Sequence, residues 1–168
     1  MNVHITTYEK SQLEELINVC SDAIDKLDFE TVYARASDIC NSDLVSKLYS
    51  IFLEEGINVL DHMTYIPNGF LYMDLDVKEI KIPANIKKIH AGAFTSSSLC
   101  RVIIDNPDII IEDNAFLWCD QIYNVTYNGT FDQLEKNDIA RKFTWFSIQK
   151  LIINCSDISK EYDLRKKW

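Results

Sequence analysis

Glycine and proline are scarce in this chain, four and three among 168 residues. Loops that cradle phosphate need clustered glycines, so four scattered ones exclude that chemistry. Apolar residues make up 47% and charged residues 26%, which excludes a disordered or fibrous chain. No window approaches the roughly 18 apolar residues of a membrane span. The start, Met1-Asn2-Val3-His4-Ile5, lacks the basic and apolar stretches of a signal peptide. Bases are outnumbered: 17 Lys and Arg stand against 26 Asp and Glu, for a net charge of −9. That balance opposes direct binding to nucleic acid or to an anionic membrane. The acidity belongs to the front, where residues 1–70 hold twelve acids and four bases. Five cysteines (Cys20, Cys40, Cys100, Cys119, Cys155) form no C-x-x-C pair and are odd in number. Free thiols in a reducing compartment are therefore expected rather than disulfides, which points to a cytoplasmic protein.

From Tyr8 to Leu27 the residues Leu13, Leu16, Ile17, Cys20, Ile24 and Leu27 recur at three- and four-residue spacings, predicting a helix. Thr7 is its expected cap, with Lys10 where a capping box wants Glu. Phe29 to Cys40 repeats the period, and Asn41-Ser42-Asp43 caps a third helix over Leu44 to Glu55 that stops at Gly56. Val59 to Pro67 is expected to be a hinge.

Beyond residue 65 the chain aligns with itself. Ile89-His90-Ala91-Gly92-Ala93-Phe94 matches Ile111-Glu112-Asp113-Asn114-Ala115-Phe116 at an offset of 22. A short strand signature occurs four times, at spacings of 22, 23 and 26: Val77-x-x-Ile80-x-Ile82, Leu99-x-x-Val102-x-Ile104, Ile122-x-x-Val125-x-Tyr127 and Ile148-x-x-Leu151-x-Ile153. One unit cannot bury its apolar face alone, so neighbours must stack into a parallel ladder. Gly92 and Asn114 precede Ala-Phe at equivalent positions, as a turn requires. Phe131 to Lys142 reads as a helix inserted before the fourth strand.

The run Ile80-Lys81-Ile82-Pro83, then Ile86-Lys87-Lys88-Ile89-His90-Ala91-Gly92-Ala93-Phe94, with a second copy ending Phe116-Leu117-Trp118-Cys119-Asp120, resembles BspA-type (treponemal-type) leucine-rich repeats. Ile109-Ile110-Ile111 departs from that pattern, and the first copy around Gly69-Phe70 is degenerate. The resemblance implies an α/β chain: a short leucine-rich-repeat solenoid with a parallel β-ladder of about four strands, capped by N-terminal α-helices. The expected divisions are a helical cap over residues 1–65, a repeat array over 66–155, and a C-terminal tail over 156–168 containing Arg165-Lys166-Lys167.

Catalytic chemistry finds no footing in the sequence. His4, His62 and His90 are dispersed and match no metal-ligand spacing. Cys119 occupies a repeat position of small buried residues, and His90 a surface turn. Asp105-Asn106-Pro107-Asp108 and Glu112-Asp113-Asn114 carry oxygen ligands but lack the glycine turn and terminal Glu of a calcium loop. The expectation is a non-enzymatic protein without cofactor or metal. Thr144-Trp145-Phe146 reads as a plug of the array end or as an interface hot spot.

Stacked strands align their outward residues in columns. Glu79, Arg101, Asn124 and Lys150 form one expected column, and Lys81, Ile103, Thr126 and Ile152 the next. Mixed charge with exposed isoleucine suits a protein partner. A second surface, Glu9, Glu14, Glu15, Asp22, Asp25, Asp28 and Glu30, would instead let the chain imitate nucleic-acid charge and block a DNA- or RNA-binding protein. Short chains of this repeat type resemble proteins of bacterial viruses as well as bacteria, implying a host defence factor as one partner. A homodimer through the final strand is a further expectation.

Overall fold

The structure, a computed structural model, describes residues 3–144 and 150–163. The expectations placed on Trp145, Phe146, Ile148 and Arg165-Lys166-Lys167 lie outside the described residues. Helix α1 spans Thr7–Val19. Its cap is Thr6 rather than Thr7, because that register puts Glu9 in the third helical position. Thr6 Oγ1 accepts the Glu9 amide at 3.2 Å, and the Glu9 carboxylate accepts the Thr6 amide at 2.7 Å. The helix breaks at Cys20, short of the expected Leu27, and α2 (Ser21–Asp25) is a separate turn. Leu27 adopts φ 56°, which ends the run. Helix α3 (Phe29–Ile39) is capped by Asp28, and α4 (Ser42–Glu54) by Asn41.

The stretch expected to be a hinge is packed instead. A 3-10 turn covers Val59–His62, and Val59, Leu60, Met63 and Ile66 are buried. The Asn85 side-chain amide donates to the carbonyls of both Leu60 and Met63 at 2.7 Å, tying this turn to the array. Asn85→Ala leaves both carbonyls without that donor. The expected cost is about 2 kcal/mol, read as a lower urea midpoint at unchanged slope.

The repeat forms two sheets. Strands β1 (Tyr65–Ile66), β3 (Lys88–Ile89) and β5 (Ile110–Ile111) make a three-stranded parallel ladder. Strands β2 (Glu79–Ile82), β4 (Arg101–Ile104), β6 (Asn124–Tyr127), β7 (Lys150–Asn154) and β8 (Ser159–Asp163) make the larger sheet in that order. The expected parallel ladder of four strands is thus part of a five-stranded mixed sheet, since β8 pairs antiparallel with β7. The segment from residue 156, expected to close the array or trail from it, turns back at Cys155, whose amide donates to Ile158 O at 2.8 Å. β8 therefore covers the edge of β7 and itself becomes the last strand of the sheet.

Ile80 and Ile82, Val102 and Ile104, Val125 and Tyr127, and Leu151 and Ile153 face the core as alternation requires. The irregular Ile109-Ile110-Ile111 resolves the same way, with Ile109 and Ile111 buried and Ile110 exposed. At the turns, Gly69, Gly92 and Asn114 stack with φ 75°, 73° and 65°. A Cβ on Gly92 would lie 2.5 Å from Asn68 Nδ2, so any larger residue there strains the backbone and displaces the Asn68 side chain.

An aromatic spine runs through the core. Phe94 stacks on Phe116 at 4.8 Å, Phe116 meets Phe143 at 4.4 Å, and Phe70 reaches Phe94 at 6.1 Å. Backbone bonds pair Leu71 N with Ala93 O, as they pair Phe94 N with Ala115 O. Leu71 thus holds the place of Phe94, and Phe70 the place of Ala93. The large ring in a small-residue position projects into the helices, 5.1 Å from Tyr33 and 5.4 Å from Tyr49. At the other end the expected single helix is two, α5 (Phe131–Lys136) and α6 (Ile139–Thr144), divided at Asp138 with φ 52°.

Candidate protein-binding face

The side of the large sheet turned away from the core presents two rows across five strands. Pairing places Glu79, Arg101, Asn124, Ile152 and Glu161 in the first. Lys81, Ile103, Thr126, Asn154 and Ser159 form the second. The fourth strand is shifted from its expected register: Val125 lies beside Ile153, an offset of 28 rather than the 26 of the sequence signature. Lys150 consequently leaves the first column and Ile152 replaces it, while Asn154 takes the place expected for Ile152. A two-residue slip keeps every side chain on its own face, so the alternation could not reveal it. The inserted α5–α6 segment absorbs the extra length.

Charge on this face is paired between neighbouring strands. Arg101 Nη2 lies 2.7 Å from Glu79 Oε2, Lys81 Nζ 3.0 Å from Asp105 Oδ2, and Lys150 Nζ 2.6 Å from Glu161 Oε1. Between these pairs sit half-buried Ile103, Asn124 and Thr126, and exposed Ile152. The result is a flat centre of apolar and neutral polar groups with a charged rim, as in protein interfaces. β8 adds Ser159, Glu161 and Asp163, which sequence reasoning missed because Ser159–Asp163 has no apolar alternation.

The acidic surface is smaller than its composition. Glu9 is buried and bonded to Lys47 Nζ at 2.7 Å, so it leaves the acidic face. Asp28 caps α3 through the Thr31 amide and hydroxyl, and Glu30 accepts both the amide and hydroxyl of Thr64 at 2.6 Å. Glu14, Glu15, Asp22 and Asp25 remain exposed and, among the described residues, form no ion pair.

Other candidate groups are structural. Cys119 Sγ donates to Phe94 O at 2.8 Å, and burial pushes its thiol up. His90 Nδ1 lies 3.4 Å from Glu112, edge-on to the Tyr65 ring. Hydrogen bonds from Lys88 and the Ala91 amide hold the Glu112 carboxyl at about 2. Asp113 is bonded to Lys142 at 2.5 Å and to Arg141 at 3.2 Å, so the carboxylates resembling a calcium loop face bases. Among the described residues no group of three or more His, Cys, Asp or Glu could hold a metal, and no helix is long and apolar enough to cross a membrane.

Parallel strands recurring every 22 or 23 residues, with left-handed turns stacked at the same step, define a leucine-rich-repeat protein. The chain belongs to the BspA-type leucine-rich-repeat family, whose repeat region matches residues 46–161 in six copies. That match begins inside α4 and reaches β8. No curated protein and no solved structure matches the chain. The family is typically a non-enzymatic interaction domain, and membership suggests a protein–protein interaction module.

Proposed function

We propose that the chain is a non-enzymatic binding module that engages a protein partner through the outer face of its large sheet. The observation that carries this reading is the pair of rows centred on Ile103, Asn124, Thr126 and Ile152, flanked by ion pairs that neutralise the rim. Exposed Ile152 and half-buried Ile103 supply apolar contact where a solubilising surface would carry charge. A pull-down from bacterial lysate, comparing wild type with Ile103→Glu plus Ile152→Glu, tests it. Both substitutions point outward, so the fold should persist by circular dichroism. A partner retained by wild type and lost by the variant supports the face; a partner that both retain refutes it.

The second reading, an acidic mimic that blocks a DNA- or RNA-binding protein, now rests on Glu14, Glu15, Asp22 and Asp25 alone. Four exposed acids outside ion pairs favour it, and its binding should weaken steeply with salt. A viral source with a host defence factor as partner is the expectation of the resemblance.

A further inference from the structure

We propose that the open edge of β2 is a self-complementary interface, where a second copy of this chain adds its own β2 antiparallel and continues the sheet across a two-fold axis. This edge adjoins the outer face assigned above and shares Glu79 and Lys81 with its rim.

Among the described residues β2 pairs with β4 alone. Lys78 O accepts the Arg101 amide at 3.1 Å and Ile82 O accepts the Asp105 amide at 3.0 Å, which fixes the alternation of the ladder. The backbone groups of Ile80 turn toward β4, and those of Glu79 and Lys81 turn to the open edge. A second β2 related by a two-fold axis at Ile80 sets Glu79 against Lys81 of the other copy, and Lys81 against its Glu79. The residues with outward N–H and C=O groups are therefore the ones whose side chains attract. Sliding the copy to either neighbouring register that keeps the faces matched sets Glu79 against Glu79, or Lys81 against Lys81.

Neighbouring groups favour the same register. Arg101 already contacts Glu79 and Asp105 contacts Lys81, so charges alternate in sign across the seam. In this register Val77 falls opposite Pro83 of the second copy. The Val77 amide is already bonded to Asp74 Oδ1 at 2.8 Å and proline has no amide, so the ladder ends without stranding a donor. Beside it lies a cleft of about 360 Å³ in which Tyr49, Leu53 and Glu54 of α4 face Asp76, Val77, Lys78 and Glu79. The opposite edge lacks this complementarity: the outward residues of β8 are Ser159, Glu161 and Asp163, with no base.

The test is the solution mass of the full chain by sedimentation equilibrium. Wild type should approach twice the 19.5 kDa chain mass. Glu79→Lys and Lys81→Glu should each fall to the single-chain mass, because each sets like charges across the seam. An equimolar mixture of the two should return to twice that mass, since both pairs that residues 79 and 81 form across the seam are then opposite in sign. The double exchange Glu79→Lys plus Lys81→Glu should do so alone. A monomeric wild type, a dimer that survives both single substitutions, or single variants that fail to recombine would each overturn the proposal.

Discussion

Phe70→Ala is expected to destabilise the protein by about 3–5 kcal/mol, the usual cost of deleting a buried phenylalanine ring. For a chain of this size that corresponds to a fall of roughly 10 °C in thermal midpoint. The ring is fully buried and lies between Tyr33 and Tyr49 of the helices and Phe94 of the repeat. Truncation removes contacts on both sides at once. Phe70→Leu should cost less than half as much, because it keeps most of the volume. If Phe70→Ala melts within about 2 °C of wild type, the helices and the array are not coupled through this ring.

Phe70 also shows where sequence reasoning reaches and where it stops. As the residue at an Ala position it reads as degeneracy, a failure of the pattern. In the fold it is the means by which the first turn closes against the helices. The strands were legible because the six-residue signature repeats with the period of burial: Val77, Leu99 and Ile122 are each buried ahead of an alternating pair. The ladder of β1, β3 and β5 was not, since a two-residue strand has too few positions to show a period. The register of β7 was illegible for a different reason. Leu151 and Ile153 fit the signature equally well after a two-residue slip, and only pairing with β6 distinguishes them. The expected columns therefore align through three strands and shift at the fourth. β8 was missed because its place is set by contacts of its turn rather than by its own pattern. The Ser156 amide donates to Gly129 O at 2.9 Å, and Asp157 Oδ1 accepts the Phe131 amide at 2.9 Å. Composition misjudged the acidic face likewise, since counting charges cannot tell a solvated carboxylate from one committed to a cap.

Glu9 makes that last distinction measurable through pH. Burial raises its carboxyl, but hydrogen bonds from Lys47 and from the Thr6 amide and hydroxyl outweigh that effect and hold it at about 2, below the ordinary 4.5. The folded state thus binds this proton more weakly than the unfolded chain. The resulting stability is fully present above about pH 4.5 and lost as pH falls toward 2, a change of about 3 kcal/mol from this group. Asp28 and Asp113 are also held low and lose stability over the acid range, so wild type alone does not isolate Glu9. Glu9→Gln does: its urea midpoint should decline less steeply between about pH 5 and pH 2 than that of wild type. Lys47→Met should behave oppositely at neutral pH, losing about 3–5 kcal/mol because the buried carboxylate keeps its charge without its cation. Acid should narrow the gap between Lys47→Met and wild type, as Glu9 in the variant takes up a proton at higher pH than it does beside Lys47. Parallel pH curves for wild type and Glu9→Gln would mean that the carboxylate gains nothing from Lys47 and belongs, after all, to the solvated acidic face.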